Sequence, residues 1–310
     1  MSVTAVAAGT RAAAGPEGAP EEVRRGRRST PYLLLLPGMA WLVLFFAVPV
    51  FALASLSLQT RVPGAEIGVY TQTFRWANYS DALAEYAPQF LRSFLYAGLA
   101  TLLCLLIGYP LAYAIALKAG RWRNLMLIAV IAPFFTSFIL RTIAWRQVLA
   151  DSGPVTSTLH TLHILPPGQS LTASGTAVVA GLTYNFLPFM VLPLYASLER
   201  LDPRLVEAAG DLYATAPVGF RRVTFPLSMP GVVAGFSTAF AWTFSAFATP
   251  QLIGGGRVST VSTLVYQLGF SSFNFPFAAS LSIVGLALSL AVIALMKQAA
   301  RPLERLGAAA

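Results

Sequence analysis

Six long apolar runs constrain the fold of this chain more than any other feature of its sequence. They lie at about 32–58, 91–117, 124–148, 174–198, 230–253 and 277–296. At 1.5 Å per residue, a helix of any of these lengths crosses about 30 Å of hydrocarbon. The runs are continuous, which disfavours the alternating strands of a membrane β-barrel. The sequence therefore predicts an all-α, polytopic membrane protein with six transmembrane helices.

The charge content agrees with this class and disfavours a soluble enzyme. Only 11% of the 310 residues are charged, whereas a soluble domain carries about 25%. The mean hydropathy is +0.67. A net charge of +9 would suggest nucleic acid as the partner of a soluble chain. In a membrane protein, an excess of basic residues is first explained by their enrichment in the cytoplasmic loops. We therefore expect the lipid bilayer, and no nucleic acid, around this chain.

The positions of the basic residues predict the orientation of the spans. Most of the 21 Lys and Arg residues lie in four segments, 1–30, 118–123, 199–229 and 297–305. Six spans place these four segments on one side, and the positive-inside rule makes that side cytoplasmic, with both termini there. The predicted organisation is a disordered basic tail (1–30), a six-helix transmembrane domain (31–298) and a cytoplasmic C-terminal tail (299–310).

The inner connection at 199–229 is polar, yet its residues are arranged for helices. Asp202 is an N-cap candidate directly before Pro203, and apolar residues follow at helical spacing. Thr215 is positioned to cap a second short helix, and Pro226 and Pro230 interrupt the chain before the fifth span. Two such amphipathic helices either contact a partner protein or lie on the lipid surface.

The same connection resembles a known family. Glu207-Ala208-Ala209, Asp211-Leu212 and the later Val223-x-Phe225-Pro226-Leu227-Ser228-x-Pro230-Gly231 are similar to the EAA loop of ABC importer permeases. The resemblance implies a type I ABC importer permease fold, in which this loop forms coupling helices that dock on a separate ATP-binding subunit. The residues to which it assigns that role are Glu207, Ala208, Ala209, Gly210, Asp211, Leu212, Tyr213, Ala214 and Phe220.

The loop departs from the family pattern at two positions. Tyr213 occupies the position, six residues after Glu207, where the family usually has glycine, and Phe225 replaces the usual leucine. Glycine permits a turn with positive φ, which tyrosine strongly resists. The sequence therefore predicts a reshaped turn in which Gly210 absorbs part of the bend.

A second resemblance narrows the family. The segment 133–145 (PFFTSFILRTIAW), the segment 249–255 (TPQLIGG) and the segment 274–279 (NFPFAA) are similar to the spermidine/putrescine-type permeases. The resemblance implies a multi-pass subunit of the bacterial inner membrane, forming half of a path for a polyamine or a similar small solute. It also implies three partners: a dimer of ATP-binding cassette ATPase subunits, a second permease subunit and an extracytoplasmic solute-binding protein. It favours two different permeases over two copies of this chain.

The chain lacks residues for chemistry of its own. It contains no G-x-x-x-x-G-K-[ST] motif, so ATP and Mg²⁺ are expected on the partner ATPase and no cofactor is expected here. His160 and His163 have no carboxylate or thiol nearby in the sequence, so we predict no metal site. No nucleophile–base arrangement is discernible, and we predict a non-catalytic transport subunit.

Polar residues within the spans are the candidates for the translocation path. Arg141 leads them, because an ionisable side chain in a span is costly to expose to lipid. An arginine near the end of a span can instead extend its side chain to the lipid headgroups, and we favour this role for Arg146. For Arg141, contact with another subunit is a further alternative to a role in the path. Helix–helix hydrogen bonds are the alternative for the uncharged members. The candidates are Thr136, Ser137, Arg141, Tyr184, Asn185, Trp242, Thr249 and Gln251.

The distribution of acidic residues bears on the identity of the solute. Polyamines are cations, and a tight site for them would contain acidic residues or an aromatic cage, yet no acidic residue lies inside the six runs. Selectivity then rests on the solute-binding protein or the second permease, or the solute is a different one. The alternative functions are a permease of the same subgroup for another small solute, and a secondary transporter or channel that needs no ATPase.

Overall fold

The computed structural model describes residues 30–62, 64, 68–166 and 170–308, so residues 1–29 of the predicted tail lie outside the described residues. The described chain is predominantly helical, with one antiparallel pair of three-residue strands, β1 (Gln59–Arg61) and β2 (Tyr70–Gln72). The helices are α1 (Thr30–Leu42), α2 (Val48–Ser57), α3 (Ala77–Tyr113), α4 (Arg123–Ile131), α5 (Phe138–Val148), α6 (Pro154–Thr161), α7 (Gly175–Glu199), α8 (Pro203–Asp211), α9 (Ala216–Gly219), α10 (Phe225–Leu227), α11 (Met229–Ser245), α12 (Ala248–Ile253), α13 (Val261–Tyr266) and α14 (Phe275–Ala308).

Each of the six apolar runs has a helical counterpart. Four helices are long and apolar enough to cross a membrane, and two bent helix pairs raise the number of candidate spans to six within the described residues. The four are Leu35–Ser57, Ala77–Lys118, Gly175–Glu199 and Phe275–Pro302, and the bent pairs are Gly120–Phe135 with Phe138–Val148 and Ala216–Leu227 with Met229–Ser245. The last helix continues beyond the predicted end of its span near residue 296, as far as Ala308.

The chain separates into two units, one up to Phe51 and one from Ala52 onward. In the first unit, α1 passes through a π-helical turn at Val43–Ala47 into the start of α2. In the second unit, α7 is the central helix, packed against α3 and α11. Its residues Met190, Val191 and Leu194 are fully buried in the largest apolar cluster.

Two glycines of α11 allow that helix to approach α7 closely, as the spacing Gly231-x-x-x-Gly235 predicts. A Cβ added at Gly231 would lie 2.5 Å from Cβ of Ser197 and 2.8 Å from the carbonyl oxygen of Pro193. At Gly235 it would lie 2.8 Å from Sδ of Met190. Because lipid tails are as apolar as the helix surfaces, this close packing is a main source of helix association in a bilayer.

The third span is not one continuous helix. Pro133 begins the distortion, because it lies in a 3₁₀ turn at Ala132–Phe135, and Thr136 is extended with φ −102° and ψ 150°. The axis of the chain therefore turns by 95° before α5 begins at Phe138. Prolines alone do not cause such bends, since α7 continues through Pro188 and Pro193.

The fifth span differs from its predicted course at both ends. A bend of 65° separates the segment Ala216–Leu227 from α11, which agrees with the interruption predicted from Pro226 and Pro230. Ser228 lies at this bend, and its hydroxyl is 2.7 Å from the hydroxyl of Tyr109 on α3. At the other end the prediction of one helix to residue 253 is wrong, because α11 ends at Ser245 and α12 is separate.

Candidate functional site

Helix α8 forms an exposed arm that follows directly on the central helix α7. Asp202 caps its start, as predicted, since its Oδ1 accepts a hydrogen bond of 3.0 Å from the backbone N–H of Arg204. Glu207 is exposed on the arm. The side chains of Leu212 and Tyr213 at its end are 81% and 96% exposed. The arm therefore presents an acidic side chain and an apolar tip away from the rest of the protein.

The turn after α8 keeps the geometry that a glycine would give it. The N–H of Ala214 donates to the carbonyl of Ala209 at 3.0 Å, and the N–H of Tyr213 donates to the carbonyl of Gly210 at 2.9 Å. These two bonds form a Schellman motif with Tyr213 at its left-handed position, with φ 58°. The predicted reshaping through Gly210 is wrong, because Gly210 stays helical and Tyr213 itself adopts the positive φ.

The remaining assigned residue, Phe220, lies apart from the exposed tip. Its ring packs edge-on against Tyr109 of α3, with 5.5 Å between ring centroids, and near Tyr113 and Phe225. Phe220 is still 39% exposed. It thus joins the segment after α9 to α3, whereas Glu207–Tyr213 form the projecting arm.

A polar cluster that sequence reasoning missed ties α4 to the end of α7. Arg123 donates from Nε to the hydroxyl of Tyr195 at 2.6 Å and forms an ion pair with Glu199. Its guanidinium also lies over the Tyr195 ring, 5.1 Å from the centroid. In the sequence, Arg123 is conspicuous only as part of the basic segment 118–123. The cluster connects the broken third span to the helix that leads into α8.

A cavity of about 430 Å³ lies where the two interrupted spans meet α7. The elements that line it are the turn before α5, α5 itself, the middle of α7 and the end of α11. Four predicted path residues and five phenylalanines form most of its wall: Thr136, Arg141, Asn185, Trp242, Phe134, Phe138, Phe186, Phe189 and Phe247. The phenylalanines were not predicted, although the sequence concentrates phenylalanine at 134–138 and 186–189.

Arg141 is the charged residue of the cavity wall within the described residues. Its Cζ lies 5.4 Å from the ring centroid of Phe134 and 5.9 Å from that of Phe138. Its Nε and Nη1 are buried and have no hydrogen-bond partner within the described part of the chain. Cation–π contacts replace only part of the hydration of a guanidinium, so this side chain keeps unused donor capacity.

Asn185 of α7 is 1% exposed and lies in the same wall. Its Nδ2 donates to the hydroxyls of Thr142 and Thr249, each at 3.4 Å. The Thr142 hydroxyl uses its own proton on the carbonyl of Phe138, so it is an acceptor for Asn185. This arrangement orients the amide and leaves Oδ1 buried without a partner within the described residues.

The other candidate path residues are placed elsewhere. Tyr184 packs on Trp145, with 5.2 Å between ring centroids, and lines a different cavity of about 340 Å³. Thr249 is fully buried behind Asn185, Ser137 occupies the bend and Gln251 is half-buried on α12. The described residues contain no group of three or more His, Cys, Asp or Glu side chains that could hold a metal ion.

Comparisons with known proteins place the chain in a family. It is 34% identical to the spermidine/putrescine transport system permease protein PotB of Haemophilus influenzae over 255 residues, covering 82% of this chain and 88% of the relative. PotB of Escherichia coli is 33% identical over 246 residues, covering 79% and 88%. The inner membrane ABC transporter permease protein YdcU of Escherichia coli is 32% identical, covering 67% and 70%.

The fold is shared with solved transporters. A chain from the crystal structure of a bacterial alginate ABC transporter, in complex with an alginate pentasaccharide-bound periplasmic protein, superposes with a TM-score of 0.68 at 16% identity, covering 88% of this chain and 94% of that one. No family model matches the sequence. The identities to the PotB proteins, over about four fifths of this chain, show the family: the chain belongs to the spermidine/putrescine-type permeases of ABC importers, multi-pass proteins of the bacterial inner membrane.

Proposed function

We propose that this chain is one permease subunit of an ATP-driven importer and forms half of the path for a small amine. Spermidine and putrescine are the first candidate solutes, because the curated relatives are named for their transport. ATP and Mg²⁺ bind to a separate pair of ATPase subunits. A second permease subunit and an extracytoplasmic solute-binding protein complete the importer. Both termini of this chain, and α8 with them, lie on the cytoplasmic side.

The observation that carries the proposal is the exposed arm α8 with its apolar tip. Leu212 and Tyr213 are among the most exposed large apolar side chains of the described residues. Adjacent apolar side chains that project into water are typical of a surface that a partner covers. A short helix that enters a groove of another protein would bury both. We assign the groove to the ATPase subunit and the contact to the residues Glu207–Ala214.

The connection of this arm to the spans provides a route for coupling. Only Arg200–Asp202 separate α7 from α8, and α7 is the helix against which α3 and α11 pack. The ion pair of Arg123 with Glu199 ties the end of α7 to α4. Closure of an ATPase pair would displace α8 and thereby shift α7 against the broken spans. Such a two-state linkage between distant sites is the minimum that an ATP-driven importer requires.

The test measures uptake and association separately. The complete importer is reconstituted in vesicles, and ATP-dependent uptake of labelled spermidine and putrescine is measured with the solute-binding protein present. We expect Glu207→Arg to reduce both uptake and co-purification of the ATPase, because it reverses the charge of the exposed arm. Glu85→Arg, a change at an exposed glutamate near the start of α3, is the matched control and is expected to leave both unchanged.

Two results would contradict the proposal. Uptake that continues without any ATPase would indicate a secondary transporter or channel instead. Co-purification that is unaffected by changes throughout Glu207–Phe220 would remove the coupling role from this segment, even if uptake still required ATP.

A further inference from the structure

We propose that a ladder of aromatic rings leads the ammonium groups of the solute from the side of the membrane opposite to α8 into the 430 Å³ cavity. The aromatic ladder consists of Phe247, Tyr266, Phe270, Phe275 and Tyr70. This inference rests on the proposed function, because it assumes that an amine passes between these helices. It assigns the recognition of the positive charge to named side chains.

The rings follow one another at distances that a cation can bridge. The ring centroids of Phe247 and Tyr266 are 4.5 Å apart, and those of Tyr266 and Phe270 are 5.1 Å apart. The next steps, from Phe270 to Phe275 and from Phe275 to Tyr70, are 6.3 and 6.2 Å. An aromatic face attracts a cation within about 6 Å of its centroid. An ammonium between two neighbouring rings therefore stays within reach of at least one of them.

The middle rings of the aromatic ladder are accessible. Phe270 is 65% exposed and Tyr266 is 42% exposed. Both belong to the segment between the fifth and sixth spans, where α13 passes into a π-helical turn at Gln267–Ser271. A solute can therefore touch these two rings without a change in the fold.

The inner end of the aromatic ladder opens into the cavity. Phe247 lines the cavity, and Trp242 of the same wall is 50% exposed, with an indole face that is the strongest aromatic partner for a cation. Ala246 between them is extended, with φ −62° and ψ 122°, and separates α11 from α12. Backbone that leaves a helix within a span is tolerated only where protein covers it or where it lines a water-filled cavity. This end of the ladder therefore faces protein or water and not lipid tails.

The aromatic ladder lies at the end of α7 that is remote from the exposed arm. The N–H of Ala173, just before α7, donates to the carbonyl of Ile253 at 3.1 Å, so α12 ends beside the start of α7. The arm α8 follows the other end of that helix, after Glu199. With α8 on the cytoplasmic side, as proposed above, the ladder lies on the side from which the solute arrives.

Hydrogen bonds hold the elements that carry the rings. The hydroxyl of Ser262 on α13 donates to the carbonyl of Phe244 on α11 at 3.0 Å. At the outer end, the hydroxyl of Tyr70 donates to the carbonyl of Phe273 at 2.7 Å. The β-strand that carries Tyr70 is thereby joined to the segment before α14, and the order of the rings is fixed.

Aromatic faces allow recognition of an amine by a chain without acidic residues in its spans. Within the described residues, neither the aromatic ladder nor the cavity wall contains an aspartate or glutamate. Nε and Nη1 of Arg141 are buried in that wall, so the surface offered to a solute is largely aromatic. Several weak contacts in series permit both entry and release, as conduction requires.

The experiment reconstitutes the complete importer in vesicles and measures ATP-dependent uptake of labelled spermidine at increasing concentrations of the solute-binding protein. Phenylalanine with one, two and three fluorine atoms is incorporated at position 270, because fluorine withdraws charge from the ring face and weakens the attraction of a cation. We expect the maximal rate to fall stepwise, by about two- to fivefold in total. Phe270→Leu should cause a similar loss, whereas Phe270→Tyr should retain uptake. The same fluorinated series at Phe51, which is 75% exposed in α2, is the matched control and should change nothing.

The outcomes separate the aromatic ladder from its alternatives. Uptake that fluorination at position 270 leaves unaltered overturns it, even if Phe270→Leu impairs uptake, because such a result indicates packing or anchoring in the headgroups. A loss that more solute-binding protein abolishes assigns the ring to the docking of that protein and also overturns the ladder. Failure of the unchanged importer to take up spermidine or putrescine contradicts the proposed function itself. Size-exclusion profiles verify the assembly of each variant.

Discussion

Replacement of Gly231 by alanine is expected to destabilise the protein through one contact between α11 and α7. The added Cβ would lie 2.5 Å from Cβ of Ser197 and 2.8 Å from the carbonyl oxygen of Pro193. Carbon atoms pack at about 3.5–4.0 Å, so the two helices must separate by about 1 Å. Neither neighbouring atom belongs to a flexible side-chain end, and the separation therefore disturbs the packing around it.

The net effect follows from two opposing contributions. Overpacking a close contact costs about 1–3 kcal/mol. Alanine in place of glycine within a helix recovers about 0.5–1 kcal/mol. We therefore expect the free energy of unfolding to fall, by up to about 2.5 kcal/mol. Gly98→Ala is the matched control, because Gly98 also lies in a spanning helix and an added Cβ there meets nothing within 4 Å.

The assay compares the two variants with the unchanged protein in one detergent, by unfolding in a titration with a denaturing detergent and by the midpoint of thermal aggregation. The expected order of stability is Gly98→Ala at or above the unchanged protein, and Gly231→Ala below it. If both alanines stabilise equally, helix propensity outweighs packing at this crossing and the close approach of α11 to α7 does not hold.

Three further predictions concern other parts of the chain. Tyr213→Gly should raise the free energy of unfolding by up to about 1 kcal/mol, because it removes the strain of a non-glycine residue at positive φ and the lost side chain is 96% exposed. Leu212→Gly, at a residue with φ −85°, should lower the free energy of unfolding, and denaturant titration of both variants distinguishes the two effects. A double-mutant cycle on Arg123 and Glu199 should give a small coupling that weakens as salt is added, since both side chains are partly exposed; a coupling that salt leaves unchanged would contradict this. Cys104 should react with a maleimide only after denaturation, because it is 0% exposed; labelling of the native protein, followed by mass spectrometry, would refute its burial.

The broken spans show why the sequence predicts these helices but not their course. Pro133 precedes a bend of 95°, while Pro188 and Pro193 lie in a continuous helix. A proline removes one hydrogen bond wherever it occurs. Whether the chain then bends depends on the neighbouring helices that pack against it. These helices are distant in sequence, so the residues around a proline do not reveal them.

The exposed arm α8 likewise has one feature that the sequence predicted and one that it did not. The N-cap at Asp202 and the short helix after it were predictable, because capping and helical spacing are properties of adjacent residues. The positive φ of Tyr213 was not, since the two hydrogen bonds of the Schellman motif outweigh the intrinsic preference of tyrosine.

The sequence by itself determined the number and apolar character of the spans and the family, because run length and motifs reside in consecutive residues. The clustering of basic residues predicts their orientation in the same way. Only the tertiary structure decided which polar groups meet. Arg141 and Asn185 lie 44 positions apart in sequence and share one cavity wall because α5 bends back to α7. Their unused donor and acceptor exist only in that arrangement, since hydrogen bonding is settled by distance and direction between helices.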